Sequence, residues 1–152
     1  MNSSKSFSNN YNINLKKFDD YTISDLIIYL KKYLKNFYDF ICKSDEDLKK
    51  NLMEIALEFK IENESSLILN LKDGSISTNK NLIPNKRITI NKKNCWLLLS
   101  GIFNFESLYI GHHAKFERFP PEKFNEKLMM QLQIFGYIYQ KRLVPSELYL
   151  NN

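Results

Sequence analysis

At 152 residues the chain is long enough to bury one core and short for two domains. Its 43% hydrophobic content, with 9 Tyr and 11 Phe against only 4 Gly and 4 Pro, excludes a fibrous, collagenous or disordered chain. The net charge of +5 comes from scattered lysines, with Lys31/Lys32, Lys86/Arg87 and Lys92/Lys93 the tightest groups. They form no continuous basic stripe and carry no aromatic signature, so nucleic-acid binding is not expected; weak attraction to an anionic membrane surface stays open.

Residues 1–20 are rich in Ser and Asn and read as a flexible arm, followed by one domain over 21–150. In "TISDLIIYLKKYLKNFYDFICKS", Thr22 and Asp25 fit a capping box, and Ile23, Leu26, Ile27, Leu30, Leu34, Phe37 and Ile41 recur at helical spacing. Asp45, Glu46 and Asp47 read as a solvated turn. In "NLMEIALEFKIEN" the period shifts to two: Met53, Ile55, Leu57, Phe59 and Ile61 alternate with more polar or smaller residues, predicting a strand with one buried face. Asp73-Gly74 then suits a tight hairpin turn, and "KRITIN" is a further short strand.

"NKKNCWLLLSGIFNFESLYIG" returns to helix. Asn91 or Asn94 can cap it, Gly101 can end its first part, and Gly111 can stop the turn after it. "HHAKFERF" reads as the last strand, from His112 to Phe119, broken by Pro120-Pro121. A long closing helix follows in "EKFNEKLMMQLQIFGYIYQKRL". Leu128, Leu132, Phe135 and Tyr139 make one apolar stripe; Met130, Ile134, Tyr137 and Ile138 make much of another. The expected architecture is α+β: a mostly antiparallel sheet of about five strands covered by helices.

The two histidines of the chain are adjacent, which raises a metal or acid–base reading. In a strand, neighbours point to opposite faces. His112 would share the inward face with Ala114 and Phe116, and His113 the outward face with Lys115 and Glu117. Such a pair cannot converge on one ion, and no HxH, HxxxH or HExxH spacing exists. A structural histidine at a helix C-terminus is the favoured reading. No GxSxG, P-loop or GxGxxG motif occurs, and Cys42 and Cys95 form no CxxC pair. No metal, no cofactor and no enzymatic activity are therefore expected. The lack of an apolar leader at the N-terminus and of a long apolar run predicts a cytoplasmic protein without a membrane span.

The stretch from Arg87 to Gly136 resembles the sterol-carrier-protein-type (SCP2-like) family. The resemblance rests on Ile88-Thr89-Ile90, on Leu97-Leu98-Leu99-Ser100-Gly101, on Phe105-Glu106-Ser107-Leu108 and on Gly111, and extends over about residues 50 to 140. "LYIGHHAKFERFPPEKFNEKLMMQLQIFG" looks most like versions appended to metallo-β-lactamase-fold hydrolases and sialic-acid-hydroxylase-like proteins. Those relatives carry an HxHxDH metal motif in a preceding domain, which this chain lacks. The resemblance implies an α+β fold with an apolar cavity between sheet and helices.

The resulting expectation is a non-enzymatic module binding a lipid, an acyl chain or another hydrophobic ligand. Trp96, Phe103, Phe105, Leu108, Phe116, Met129, Leu132 and Phe135 are the candidate ligand-binding residues. The alternatives are an accessory interaction subunit or homodimer serving a separate catalytic protein, such as a metallo-β-lactamase-fold enzyme, and a small enzyme using His112.

Overall fold

The computed structural model of the chain describes residues 18–78, 83–119 and 126–135. Helix α1 runs from Ile23 to Cys42 and opens on the expected capping box. The Thr22 hydroxyl accepts from the Asp25 amide at 3.2 Å, and the Asp25 carboxylate accepts from the Thr22 amide at 2.9 Å. Leu26, Leu30, Tyr33, Leu34, Phe37 and Ile41 form its buried stripe.

The acidic run after α1 is not a solvated turn. Asp45 accepts from the Leu48 amide at 2.8 Å and starts a second helix, α2, from Glu46 to Leu52. Acidic residues in its first turn and lysines in its last suit the helix dipole. Its helical C-cap, Met53, is 37% exposed, so the following strand, β1, begins at Ala56 and runs to Ile61.

Strands β2 (Ser65–Asn70), β3 (Ile76–Ser77), β4 (Lys86–Ile90) and β5 (Ala114–Arg118) complete a sheet of order β3-β2-β1-β4-β5. All neighbours are antiparallel except β1 and β4, which pair parallel. The sheet is thus mostly antiparallel, as expected. The β2–β3 connection is longer than a two-residue hairpin. Gly74 takes φ +76°, its amide donates to the Asn70 carbonyl at 2.8 Å, and Asp73 accepts from the Ser75 amide at 2.9 Å. A Cβ on Gly74 would also lie 2.4 Å from the Tyr38 ring, so both backbone and packing require glycine there.

Helix α3 (Lys92–Leu99), capped by Asn91, is followed by α4 (Phe105–Ile110), capped by Asn104, and by α5 (Glu126–Ile134). Pairing puts Leu57, Phe59, Ile61, Leu67, Leu69, Ile88, Ile90 and Phe116 on one face of the sheet. Tyr33 of α1 and Phe105 of α4 meet Phe59 on that face, with ring centroids 6.3 and 6.1 Å away. The opposite face carries Glu58, Arg87 and Glu117 in one cross-strand row. Arg87 Nε donates to the Glu58 carboxylate at 2.6 Å and a guanidinium nitrogen lies 3.8 Å from Glu117. The burial of β1 therefore extends past a single face: Glu58 is only 7% exposed, and this ion pair compensates its desolvation.

Of the expected arm, residues 1–17 lie outside the described residues, but Phe18 is 2% exposed and stacks on Trp96 with centroids 5.6 Å apart. Pro120, Pro121, Tyr137, Ile138 and Tyr139 also lie outside. Within α5 the first apolar stripe is buried through Leu128 and Leu132 and continues to Phe135, whereas Met130 of the second stripe is 55% exposed. Among the described residues no helix is long and apolar enough to cross a membrane.

Candidate functional site

Between the inner face of the sheet, α4 and α5 lies an open cleft of about 480 Å³. Leu57, Ile88 and Phe116 line it from the sheet; Leu128, Met129 and Leu132 line it from α5. The register explains the apolar floor, since Ile88 and Phe116 are cross-strand partners and Leu57 shares their face. Tyr109 and Phe119 stand at its edge, 52% and 39% exposed. Lys86, Arg87, Glu117 and Arg118 supply a polar margin, with Lys86 directly opposite Arg118 across the β4–β5 pair. Phe116 is held by edge-on contacts to Phe105 at 6.5 Å and Tyr109 at 5.3 Å. The Arg87 guanidinium lies 5.1 Å over the Phe119 ring.

Phe116, Met129 and Leu132 of the sequence-derived candidates line this cleft. Phe105, Leu108 and Phe135 are fully packed core: Phe105 meets Phe59 and Tyr33, and Phe135 meets Tyr33, Phe37 and Phe40. Trp96 lies elsewhere, in an aromatic nest with Phe18, Tyr21 and Tyr29, beside a smaller hollow of about 320 Å³. Phe103 is partly buried and stacks on His113 at 4.7 Å. Leu57, Ile88, Tyr109, Phe119 and Leu128 line the cleft but are not among the ligand-binding residues expected from the sequence. The alternation of β1 and β4 would have nominated Leu57 and Ile88, but only the parallel pairing brings them under α5.

The histidines depart most from expectation. They precede β5 instead of lying in it, and both are exposed, so His112 does not face inward. Helix α4 ends in a Schellman motif: the His113 amide donates to the Leu108 carbonyl at 3.0 Å, and His112 occupies the left-handed position at φ +54°. Glycine is the usual residue there, and Gly101 fills the equivalent place after α3 at φ +81°. Gly111, at φ −78°, serves another purpose. A Cβ on it would approach the His113 ring and the Ser107 carbonyl to 2.6 Å, so its absence lets His113 fold back onto Phe103.

His112, His113, Glu62, Thr89, Asn94 and Lys115 line a second, polar cleft of about 710 Å³, whose wall includes Tyr109 and Phe116. Among the described residues no group of three or more His, Cys, Asp or Glu is placed to hold a metal ion. Among the described residues, the buried polar atoms Tyr33 Oη and Trp96 Nε1 have no hydrogen-bond partner. Burial, with Cys95 nearby, holds the Tyr33 phenol well above its ordinary range, and burial pushes the Cys95 thiol up to about 12.

No protein-family model and no curated protein matches the chain. Among solved structures it is similar to the sterol carrier protein domain 2 of Helicoverpa armigera, at 22% identity and a TM-score of 0.48, over 69% of this chain and 83% of that one. It is also similar to a UbiJ-SCP2 ubiquinone synthesis protein, at 10% identity and a TM-score of 0.48, over 76% and 96% of the two chains. Similarity to the apo form of sterol carrier protein 2 from Yarrowia lipolytica reaches 14% identity and a TM-score of 0.40, over 79% and 91%.

Proposed function

We propose that the chain is a non-enzymatic module that binds the hydrocarbon part of a lipid or another apolar ligand in the cleft between β1, β4, β5 and α5. One observation carries this reading: a space of about 480 Å³ floored by Leu57, Ile88 and Phe116 and walled by Leu128, Met129 and Leu132. That size lies within the roughly 300–1,000 Å³ typical of small-molecule sites, which are mostly apolar with a few polar groups at fixed points. Removing about ten methylenes from water would contribute about 8 kcal/mol before ordering costs. Met129 adds a side chain that adapts to different ligand shapes.

The test is isothermal titration with a single-chain fatty alcohol, together with native mass spectrometry of the purified protein. Met129→Trp, which fills the cleft from its partly buried wall, should weaken binding at least about tenfold while the melting temperature stays within a few degrees. Equal binding by the variant would place the ligand elsewhere. A second reading, an accessory subunit or homodimer, draws on the exposed apolar side chains of Tyr109, Ile110 and Met130. A clean dimer with no lipid adduct and no uptake of the alcohol would favour it.

A further inference from the structure

The apolar and polar clefts are neighbours that share Tyr109 and Phe116 as lining residues. We infer that one ligand occupies both: a single-chain amphipath whose tail lies in the apolar cleft and whose phosphate-bearing head lies in the polar one. The inference rests on the apolar-cleft reading above and adds the chemistry of the head. Thr89 and Lys115 are a cross-strand pair on the opposite face of the sheet from Phe116, so the two clefts meet around the β5 edge, where Phe116 and Tyr109 form an edge-on ring pair with centroids 5.3 Å apart. Phe116 is fixed from behind by Phe105, but Tyr109 is half exposed and is the ring that can yield to a chain crossing between compartments.

The polar cleft is richer in donors than in acids. The Lys115 ammonium, the Thr89 hydroxyl, the Asn94 amide and the His112 imidazole line it, against the single carboxylate of Glu62. Asn94 is partly committed, donating to the His113 carbonyl at 2.9 Å, and Lys115 lies 3.2 Å from Glu117 with its side chain 72% exposed. That ion pair is close but solvent-exposed and so worth little, and its ammonium can turn to a phosphate, whose oxygens accept from ammonium and hydroxyl alike. His112 points the same way. Its backbone is in the left-handed region that glycine enters without steric penalty, yet this position places an imidazole on the cleft. The helix end does not need that ring, because Gly101 makes the same motif without one.

The experiment compares dodecyl phosphate with dodecanol, both below their micellar or solubility limits, by isothermal titration at neutral pH. The phosphate should bind about tenfold or more tightly than the alcohol. His112→Gly, which preserves the left-handed helix end, and Lys115→Gln should each remove most of that advantage and leave dodecanol affinity unchanged. Equal affinity for the two probes, or an advantage untouched by both variants, overturns the two-compartment ligand and leaves the apolar cleft standing. Failure of both probes to bind overturns the apolar-cleft reading as well.

Discussion

Phe18 falls inside the Ser- and Asn-rich segment expected to be a free arm, yet it is 2% exposed and stacks almost parallel on Trp96, at 4° between ring planes. Phe18→Ala should therefore behave as a core truncation. Removing a buried phenyl ring costs about 3–5 kcal/mol, of which the aromatic pair accounts for about 0.5–1.5. For a domain of about 150 residues each kcal/mol moves the melting temperature by about 2–4 °C, so the variant should melt about 6–20 °C lower. Trp96 is the only tryptophan of the chain and reports directly on the loss. Its indole is 1% exposed in the intact nest, and water admitted by the substitution should shift its emission to the red. Removing residues 1–20 should do the same, because the deletion takes Phe18 with it. A melting temperature within about 2 °C of the parent, with unmoved emission, would refute the packing of Phe18 on the core.

Arg87→Met leaves the Glu58 carboxylate, 7% exposed, without the guanidinium 2.6 Å away. Because the Arg87 side chain is itself 29% exposed and admits water, the expected loss is about 1–3 kcal/mol in urea unfolding, below that of a fully buried pair. Glu58→Gln in the same background should restore part of it. Cys95 gives a pH dependence: unfolded it loses its proton near the ordinary value of 9.0, folded only near about 12. Its contribution to stability is therefore complete below pH 9 and falls as pH rises from about 9 towards 12, by about 1.4 kcal/mol per unit. Tyr33, also raised, acts in the same direction at still higher pH. Urea unfolding at two alkaline pH values should show a shallower fall for Cys95→Ala than for the parent, and a thiol reagent at neutral pH should modify exposed Cys42 in the folded protein and Cys95 only on unfolding.

The parts of the fold legible in the sequence are those set by local chemistry. Thr22 and Asp25 announce α1, Asn91 and Asn94 both offer a start for α3, of which Asn91 is the cap, and the alternation of Leu57, Phe59 and Ile61 gives β1 its inner face. Errors arise where two local signals compete. Met53 and Ile55 extend the period of β1 backwards, but the Asp45 cap makes the preceding residues helical and leaves Met53 in solvent. Asp73-Gly74 carries a hairpin signature, yet side-chain bonds from Asn70 and Asp73 build a longer loop against the Tyr38 ring. The parallel pairing of β1 with β4 has no local signal, because it depends on the return of the chain after β3.

The same distinction governs the site. Aromatic residues in the helices look equally suited to a core or to a cleft, and composition alone cannot separate Phe105, packed on all sides, from Phe116, which has a ligand-sized space beside it. What separates them is the edge position of β5. Phe116 has a strand partner on one side only, through Ile88, and shares the lining of the cleft with Met129 and Leu132 of α5. The histidines show the converse. Read as strand residues they must point apart; read as the end of α4 they serve a backbone turn at His112 and a ring stack at His113. Imidazole is not required for the turn, since glycine performs it after α3. Whether the turn alone accounts for His112 is therefore decided by His112→Gly. Unchanged or improved stability with unchanged phosphate affinity assigns the residue to the helix end, whereas unchanged stability with the phosphate advantage lost assigns the ring to a ligand.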